Sequence, residues 1–351
     1  MTLSQSQRSM IEKVRSLGGG AQGVALSDIA CTYLVHRIVE DLGLAGRFGD
    51  GHVAVPEFYE TVDPDALGLD GSRFLSLFER LVRLDANADT YFNCLATLHK
   101  ARLKYTRVLA TQPMPTMDQV GPRCLLQYGH VDADSLASLL VWRKWVYDID
   151  NRAAQETGYL FEPIIANAIG GAPASAKNSP VRRTGDAGKG RQVDCLKGDR
   201  AYELKLRVTI AASGQGRWSE EMSFPQDCRD SGFVPVLVVL DPTSNSKLDA
   251  LRTEFLARDG EVHIGDDAWS HLEAEAGPTM SLFLERYVRT PLTRVLAGAA
   301  QGLRDFGLRT DGATIVVCIG DTEWPITRAV EESTDDADPL PDDADDLLPG
   351  L

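Results

Sequence analysis

No run of this 351-residue chain comes near the roughly 18 to 20 consecutive apolar residues that a bilayer-spanning helix requires. Residues 1–20 are polar and lack the apolar stretch of a signal peptide, so the protein is expected to stay in the cytosol. There is no CxxC pair. Cys31, Cys94, Cys124, Cys195, Cys228 and Cys318 are scattered, which argues against a zinc ribbon or a disulfide framework and for six reduced, mostly buried thiols. P-loop and GxSxG sites are absent. Residues 184–190 carry glycines and a lysine but miss the P-loop spacing, so no nucleotide triphosphate site is expected. The six histidines show no metal-ligand spacing and read as structural. No internal repeat is found.

A basic excess is also lacking. The net charge is −15, whereas a nucleic-acid partner usually leaves a basic footprint. The acid is unevenly spread, however. From Glu331 onward there are nine acidic residues and no Lys or Arg, and the rest of the chain is left at −6. A body of that charge can still carry a basic groove. The segment 331–351 also has three prolines and no aromatic residue, and is expected to be disordered.

What is present is the composition of an ordinary folded protein, 43% hydrophobic and 25% charged. Residues 1–150 read as mainly helical. Apolar residues recur at helical spacing over 27–42, 72–84, 87–109 and 132–148, and residues 51–71 are irregular around Pro56 and Pro64. After residue 150 the pattern changes. A helix is expected over 152–169, a Gly/Ser/Ala-rich loop over 170–190, and strands over 192–197 and 201–210 with a turn at Gly198-Asp199. An apolar strand at 234–240 is suited to burial on both faces. A helix at 246–258, a short strand at 261–264, helix near 279–305 and a last strand at 314–319 complete the reading. The expected fold is therefore α/β: a mixed central sheet with flanking helices over 151–330, a helical region at 1–150 and an acidic tail at 331–351.

The chemistry concentrates in one hairpin, Val193-Asp194-Cys195-Leu196-Lys197-Gly198-Asp199-Arg200-Ala201-Tyr202-Glu203-Leu204-Lys205. Glu203 and Lys205 are two apart and share a strand face, while Tyr202, Leu204 and Leu206 point into a core. Asp194 lies across the turn. The hairpin can bring all three charged groups to one point. Two carboxylates and a backbone carbonyl, that of Leu204, are hard oxygen ligands for Mg²⁺. Lys205 can hold or help deprotonate an attacking water and offset phosphate charge. Together these suit hydrolysis of a phosphodiester. The chain has nine lysines, and Lys205 alone has an acid two residues before it.

Helix with Glu, loop, Asp-bearing strand, turn, Glu-x-Lys strand, helix and buried strand resembles the core of PD-(D/E)xK nucleases. The proline that often precedes the Asp is replaced by Val193. Residues 155–240 resemble type II restriction endonucleases, the ApaLI-like group in particular. The resemblance implies cleavage of double-stranded DNA at a short palindrome by a homodimer. It also implies a carboxylate on the preceding helix. Of Glu156 and Glu162, which are six apart and on different faces, Glu162 fits better, with apolar neighbours around it.

Other positions suit DNA contact. Lys177, Arg182, Arg183, Lys189 and Arg191 lie in the loop before Asp194, where they can follow a phosphate backbone or read guanine. Ser213, Gln215 and Arg217 follow the Lys205 strand, with base-reading side chains among glycines. The solvated-loop reading stands beside both. Glu220 and Glu221 open a helix and favour its N-terminus. Two rival readings remain open: a PD-(D/E)xK nuclease of repair or junction resolution, and a non-catalytic DNA-binding protein whose hairpin acids are only salt-bridged.

Overall fold

The structure, a computed structural model, describes residues 3–18, 23–60, 63–207, 215–299 and 301–329. Helices α1 (Gln5–Arg15), α2 (Asp28–Asp41), α3 (Phe74–Leu84), α4 (Ala88–Thr111) and α5 (Ala133–Ala168) precede the first strand. Three of their starts follow from capping. The Ser4 hydroxyl and the Gln7 side chain bond reciprocally to each other's backbone N–H, and Ser27 and Asp132 each accept from the N–H three residues on. Each such cap stabilises its helix by about 1 kcal/mol.

Helix α5 is one unbroken element of 36 residues, where the sequence suggested two helices separated near residue 150. Asp148-Ile149-Asp150-Asn151 contains no glycine or proline to stop it, and Pro163 near its end is accommodated without ending the helix. The proposed division near residue 150 therefore falls inside a continuous helix. One apolar core joins Tyr33, Phe74, Phe78 and Phe92 from one side of that position to Ile164, Tyr202, Val236 and Tyr287 from the other.

The main sheet has five strands, β1 (Ala172–Ala174), β4 (Val193–Lys197), β5 (Arg200–Lys205), β6 (Val234–Val239) and β7 (Glu261–Ile264), ordered β1-β4-β5-β6-β7. Between β1 and β4 in sequence, β2 (Arg182–Arg183) and β3 (Asp186–Gly190) form a small hairpin, so residues 170–190 are not simply a loop. The β1–β4 and β4–β5 pairs are antiparallel, and β5–β6 and β6–β7 are parallel. The sheet is mixed, as the alternation of strands and helices suggested. Helix α6 (Gln215–Asp230) links β5 to β6, and α7 (Ser246–Ala257) links β6 to β7.

Alternation along the strands sorts their residues into two cores. Tyr202, Leu204, Val236 and Val238 face the α2–α5 side, whereas Ala201, Leu237 and Val239 face Phe224 and Cys228 of α6 and Leu251 and Phe255 of α7. The whole of β6 except its first residue is buried, which explains its unbroken apolar sequence. Two glycines are demanded by geometry. Gly198 turns between β4 and β5 with φ 61°, and a Cβ at Gly171 would lie 2.2 Å from the Cys195 sulfur.

Helix α8 (Asp266–Leu284) is interrupted at Gly277, with φ 70°, and restarts at Pro278; a π-helical turn then leads to α9 (Thr290–Ala299). The chain continues in a three-stranded antiparallel sheet of β8 (Phe306–Asp311), β9 (Thr314–Ile319) and β10 (Thr322–Thr327). The sequence suggested the middle strand alone. Its Ile315 and Val317 pack with Ile326 on Leu109 and Trp145, so this sheet is seated on α4 and α5. None of the described helices is long and apolar enough to cross a membrane.

Buried polar groups are knitted together where helices meet. Asp41 is paired with Arg37 at 2.9 Å and Arg286 at 3.1 Å, and accepts hydrogen bonds from the Tyr91 and Tyr287 hydroxyls. Burial and the nearby Asp41 hold the Tyr287 hydroxyl far above its usual pKa, so it stays a donor. The six cysteines are free; Cys31, Cys94, Cys195 and Cys228 are buried, Cys124 and Cys318 half-buried.

Candidate active site

The β4–β5 hairpin forms as its sequence suggests, with Cys195 opposite Tyr202 and Leu196 opposite Ala201. Its ladder stops there. At the next position the Asp194 carboxylate takes over, and its Oδ2 accepts a 2.8 Å hydrogen bond from the Leu204 N–H. The side chain is thereby aimed into the corner where β4 and β5 part. The N–H and C=O of one extended residue leave the strand on the same side. The Leu204 carbonyl therefore faces the Asp194 side of β5.

Glu203 and Lys205 share the face of Ala201, roofed by α6. Lys205 Nζ lies 3.0 Å from Glu203 Oε1 and 3.2 Å from Glu221 Oε1 of α6. The Lys205 and Glu203 side chains are only 16% and 17% exposed, so the pair is shielded yet reachable from solvent. Burial disfavours the Lys205 charge, but Glu203, Glu221 and Asp194 outweigh it and raise its pKa, so the ammonium is fully protonated near neutrality.

Asp194 is shifted the opposite way for a carboxylate. Burial, then the negative charges of Glu203 and Glu162, raise its pKa well above the usual carboxylate range. The Leu204 hydrogen bond and Lys205 offset this only in part. Among the described residues, Asp194, Glu203, Glu162 and Glu221 thus gather around the one ammonium of Lys205, and negative charge is in excess there. That donor set suits a small hard cation: carboxylate oxygens, with a backbone carbonyl at hand. Glu162 is half-buried on α5, whereas Glu156 is tied to Lys104 at 2.9 Å and Arg152 at 3.4 Å. Geometry thus separates the two acids as their helical phase suggested.

Glu221 was read in the sequence only as a helix-opening acid. Its contact with Lys205 depends on how α6 packs across the sheet, and no local spacing signals it. The only hint is an acid in the helix that follows the Glu-x-Lys strand.

The basic positions divide. Lys177, Arg182 and Lys189 are exposed, and Lys189 lies 3.5 Å from Asp186. Arg183 reaches Glu220 at 2.8 Å and stays partly exposed. Arg191, expected at the DNA, is instead a packing residue. Its guanidinium is buried over the Phe224 ring, pairs with Asp227 at 2.7 Å, and donates to the Ser223 hydroxyl at 2.9 Å and to the Glu220 carbonyl. The small hairpin is further anchored by Thr184 N–H to Asp227 and Arg182 N–H to the Ser231 hydroxyl, both at 2.8 Å. Gln215 and Arg217 belong to the first turn of α6, and Ser213 lies outside the described residues, as does the acidic segment 331–351.

Comparison with known proteins adds a family. The model of the ApaLI-like restriction endonucleases matches residues 66–289. A curated protein, the type II restriction enzyme ApaLI of Acetobacter pasteurianus, is 52% identical over 266 residues, covering 71% of each chain. No solved structure matches significantly. The matched region contains the helix with Glu162, the hairpin with Asp194, Glu203 and Lys205, and Glu221.

Proposed function

The chain belongs to the ApaLI-like restriction endonuclease family, and on that premise we propose that it is a Mg²⁺-dependent type II endonuclease with a PD-(D/E)xK centre built from Asp194, Glu203 and Lys205. Its substrate is double-stranded DNA, cut at a short palindromic site by a homodimer acting in the cytosol. The observation that carries this reading is the convergence of Asp194, Glu203 and Lys205 at one corner of the sheet, with Glu162 close enough to raise the Asp194 pKa.

Asp194, Glu203 and the Leu204 carbonyl would hold the ion, with Glu162 assisting. Bound there, Mg²⁺ supplies charge stabilisation at the phosphoryl oxygens and acidifies a water. The residues of the chain do the rest. Lys205 is kept charged by its two carboxylates, so its N–H groups orient the attacking water and compensate phosphate charge. Glu203 fixes the Lys205 head group while facing the same corner. The half-buried setting limits competing water, which strengthens each of these charges. In the reaction the water gives up a proton as its oxygen bonds to phosphorus, one ester P–O bond breaks, and the departing sugar oxygen takes a proton. Lys177, Arg182, Arg183 and Lys189, on the segment leading to Asp194, would grip the backbone. Gln215 and Arg217, at the start of α6, and Ser213 just before it, are placed in sequence to meet DNA beside the cleavage corner.

Plasmid cleavage by the purified protein tests this. Discrete fragments that require Mg²⁺, disappear in EDTA and are lost with Lys205→Ala are expected. A smear with the same requirements would overturn site specificity and favour a repair-type nuclease. Cutting that survives Lys205→Ala, or none on several DNAs, would overturn the assigned centre.

A further inference from the structure

Glu261 and His263 lie on one strand and His271 on the helix that follows, and the fold brings their side chains together. Glu261 and His263 are two apart on β7 and so share a face; His271 projects from α8, packed against that edge strand. One ligand atom from each of the three lies within 4.8 Å of the others. The two imidazoles stack with centroids 3.9 Å apart and planes 14° apart. The histidines, read as structural from their spacing, thus hold the one such cluster among the described residues.

The hydrogen bonding around them points to a ligand. Nε2 of His263 and Nε2 of His271 are both buried and lack a hydrogen-bond partner. His263 Nδ1 lies 2.8 Å from Asp267 Oδ2. The Asp267 carboxylate thereby orients the His263 ring. His263 Nε2 itself lies 3.6 Å from Glu261 Oε2. Glu261 Oε1, meanwhile, is held by Arg200 at 3.1 Å, which orients the carboxylate. Arg200 also reaches Glu275 at 3.3 Å, and Lys197 takes the other Glu275 oxygen.

We propose that Glu261, His263 and His271 form a second metal site, which binds Zn²⁺ or a similar borderline cation and clamps the edge strand β7 to α8. Two imidazole nitrogens and one carboxylate are the donors that Zn²⁺ takes, leaving a fourth position for water. The all-oxygen set at Asp194 prefers Mg²⁺, so the two sites are chemically distinct. They are also on different faces of the sheet. His271 lies against Tyr202, with 5.8 Å between ring centroids, on the face opposite Glu203 and Lys205. The site therefore stands whether or not the proposed cleavage reaction is right. Asp267 and Arg200 are its orienting partners.

The test uses the full chain carrying Asp194→Asn, which removes the carboxylate centre as a competitor. Metal-free protein is titrated with Co²⁺, read by its visible absorption, and then with Zn²⁺ in competition. One equivalent is expected to bind without sulfur-to-cobalt charge-transfer absorption, and Zn²⁺ is expected to displace it and raise the unfolding temperature by a few degrees. His271→Ala and, separately, His263→Gln should abolish both effects, while keeping the parent's circular dichroism in metal-free buffer. Asp267→Asn should weaken Zn²⁺ about 10-fold. The proposal is overturned if the Asp194→Asn chain binds no equivalent, if the equivalent survives both histidine variants, or if thiolate absorption shows that cysteines hold it.

Discussion

The Asp194 carboxylate accepts a 2.8 Å hydrogen bond from the Leu204 N–H, at the point where the β4–β5 ladder would otherwise continue. A side chain has replaced a backbone partner, and the acid is thereby fixed against two other acids. The arrangement gathers negative charge at one corner of the sheet.

Stability at that corner should depend on pH in a definite direction. The folded-state pKa of Asp194 is raised, by burial and then by Glu203 and Glu162. A raised pKa means the folded chain binds this proton more tightly than the unfolded chain. Its contribution is fully present below the unfolded carboxylate pKa and is lost as pH rises through the folded value. In EDTA near neutrality, Asp194→Asn should therefore raise the unfolding temperature, while abolishing cleavage. The gain should vanish as the pH falls through the carboxylate range. A lower unfolding temperature for Asp194→Asn at neutral pH would contradict this origin of the shift.

Glu221 should act through Lys205 rather than on the substrate. It lies 3.2 Å from Lys205 Nζ and is one of the charges that raise its pKa. A raised lysine pKa contributes stability below the unfolded value, lost as pH rises through the folded one. Glu221→Gln should move the alkaline limb of the cleavage profile to lower pH and cost less than Lys205→Ala, whose loss should reach about 10²- to 10⁴-fold. Measured rates across the alkaline range decide it; an unmoved limb would show that Glu221 only packs.

Arg191 and Arg182 should respond in opposite assays. Arg191 is buried with Asp227, and removing one member of such a pair costs about 3–5 kcal/mol. Denaturant unfolding of Arg191→Ala should show that loss. Arg182→Ala should instead leave stability nearly unchanged and weaken DNA binding, reducing the salt slope by about 1. Equal salt slopes for wild type and Arg182→Ala would remove this side chain from the DNA interface.

Much of the fold was legible locally. The helices at 28–41, 74–84 and 88–111 follow from apolar spacing, the first also from its Ser27 cap, and β6 from an unbroken run of Val, Pro and Leu. What misled was punctuation. The polar stretch 148–151 looked like a break but contains nothing that ends a helix, and the Gly-rich stretch 170–190 hid three short strands. Arg191 looked like its basic neighbours because sequence cannot show that an aspartate 36 residues later buries it.

By itself the sequence determined the charged hairpin: the period of two puts Glu203 and Lys205 on one face, and a two-residue turn brings Asp194 beside them, because strand geometry is local. Only the tertiary structure decided the rest. Glu221 meets Lys205, and His271 meets Glu261 and His263, because helices pack across the sheet at distances no local spacing encodes. The charge balance that shifts Asp194 and Lys205 likewise arises from groups that burial gathers, and burial belongs to the whole fold.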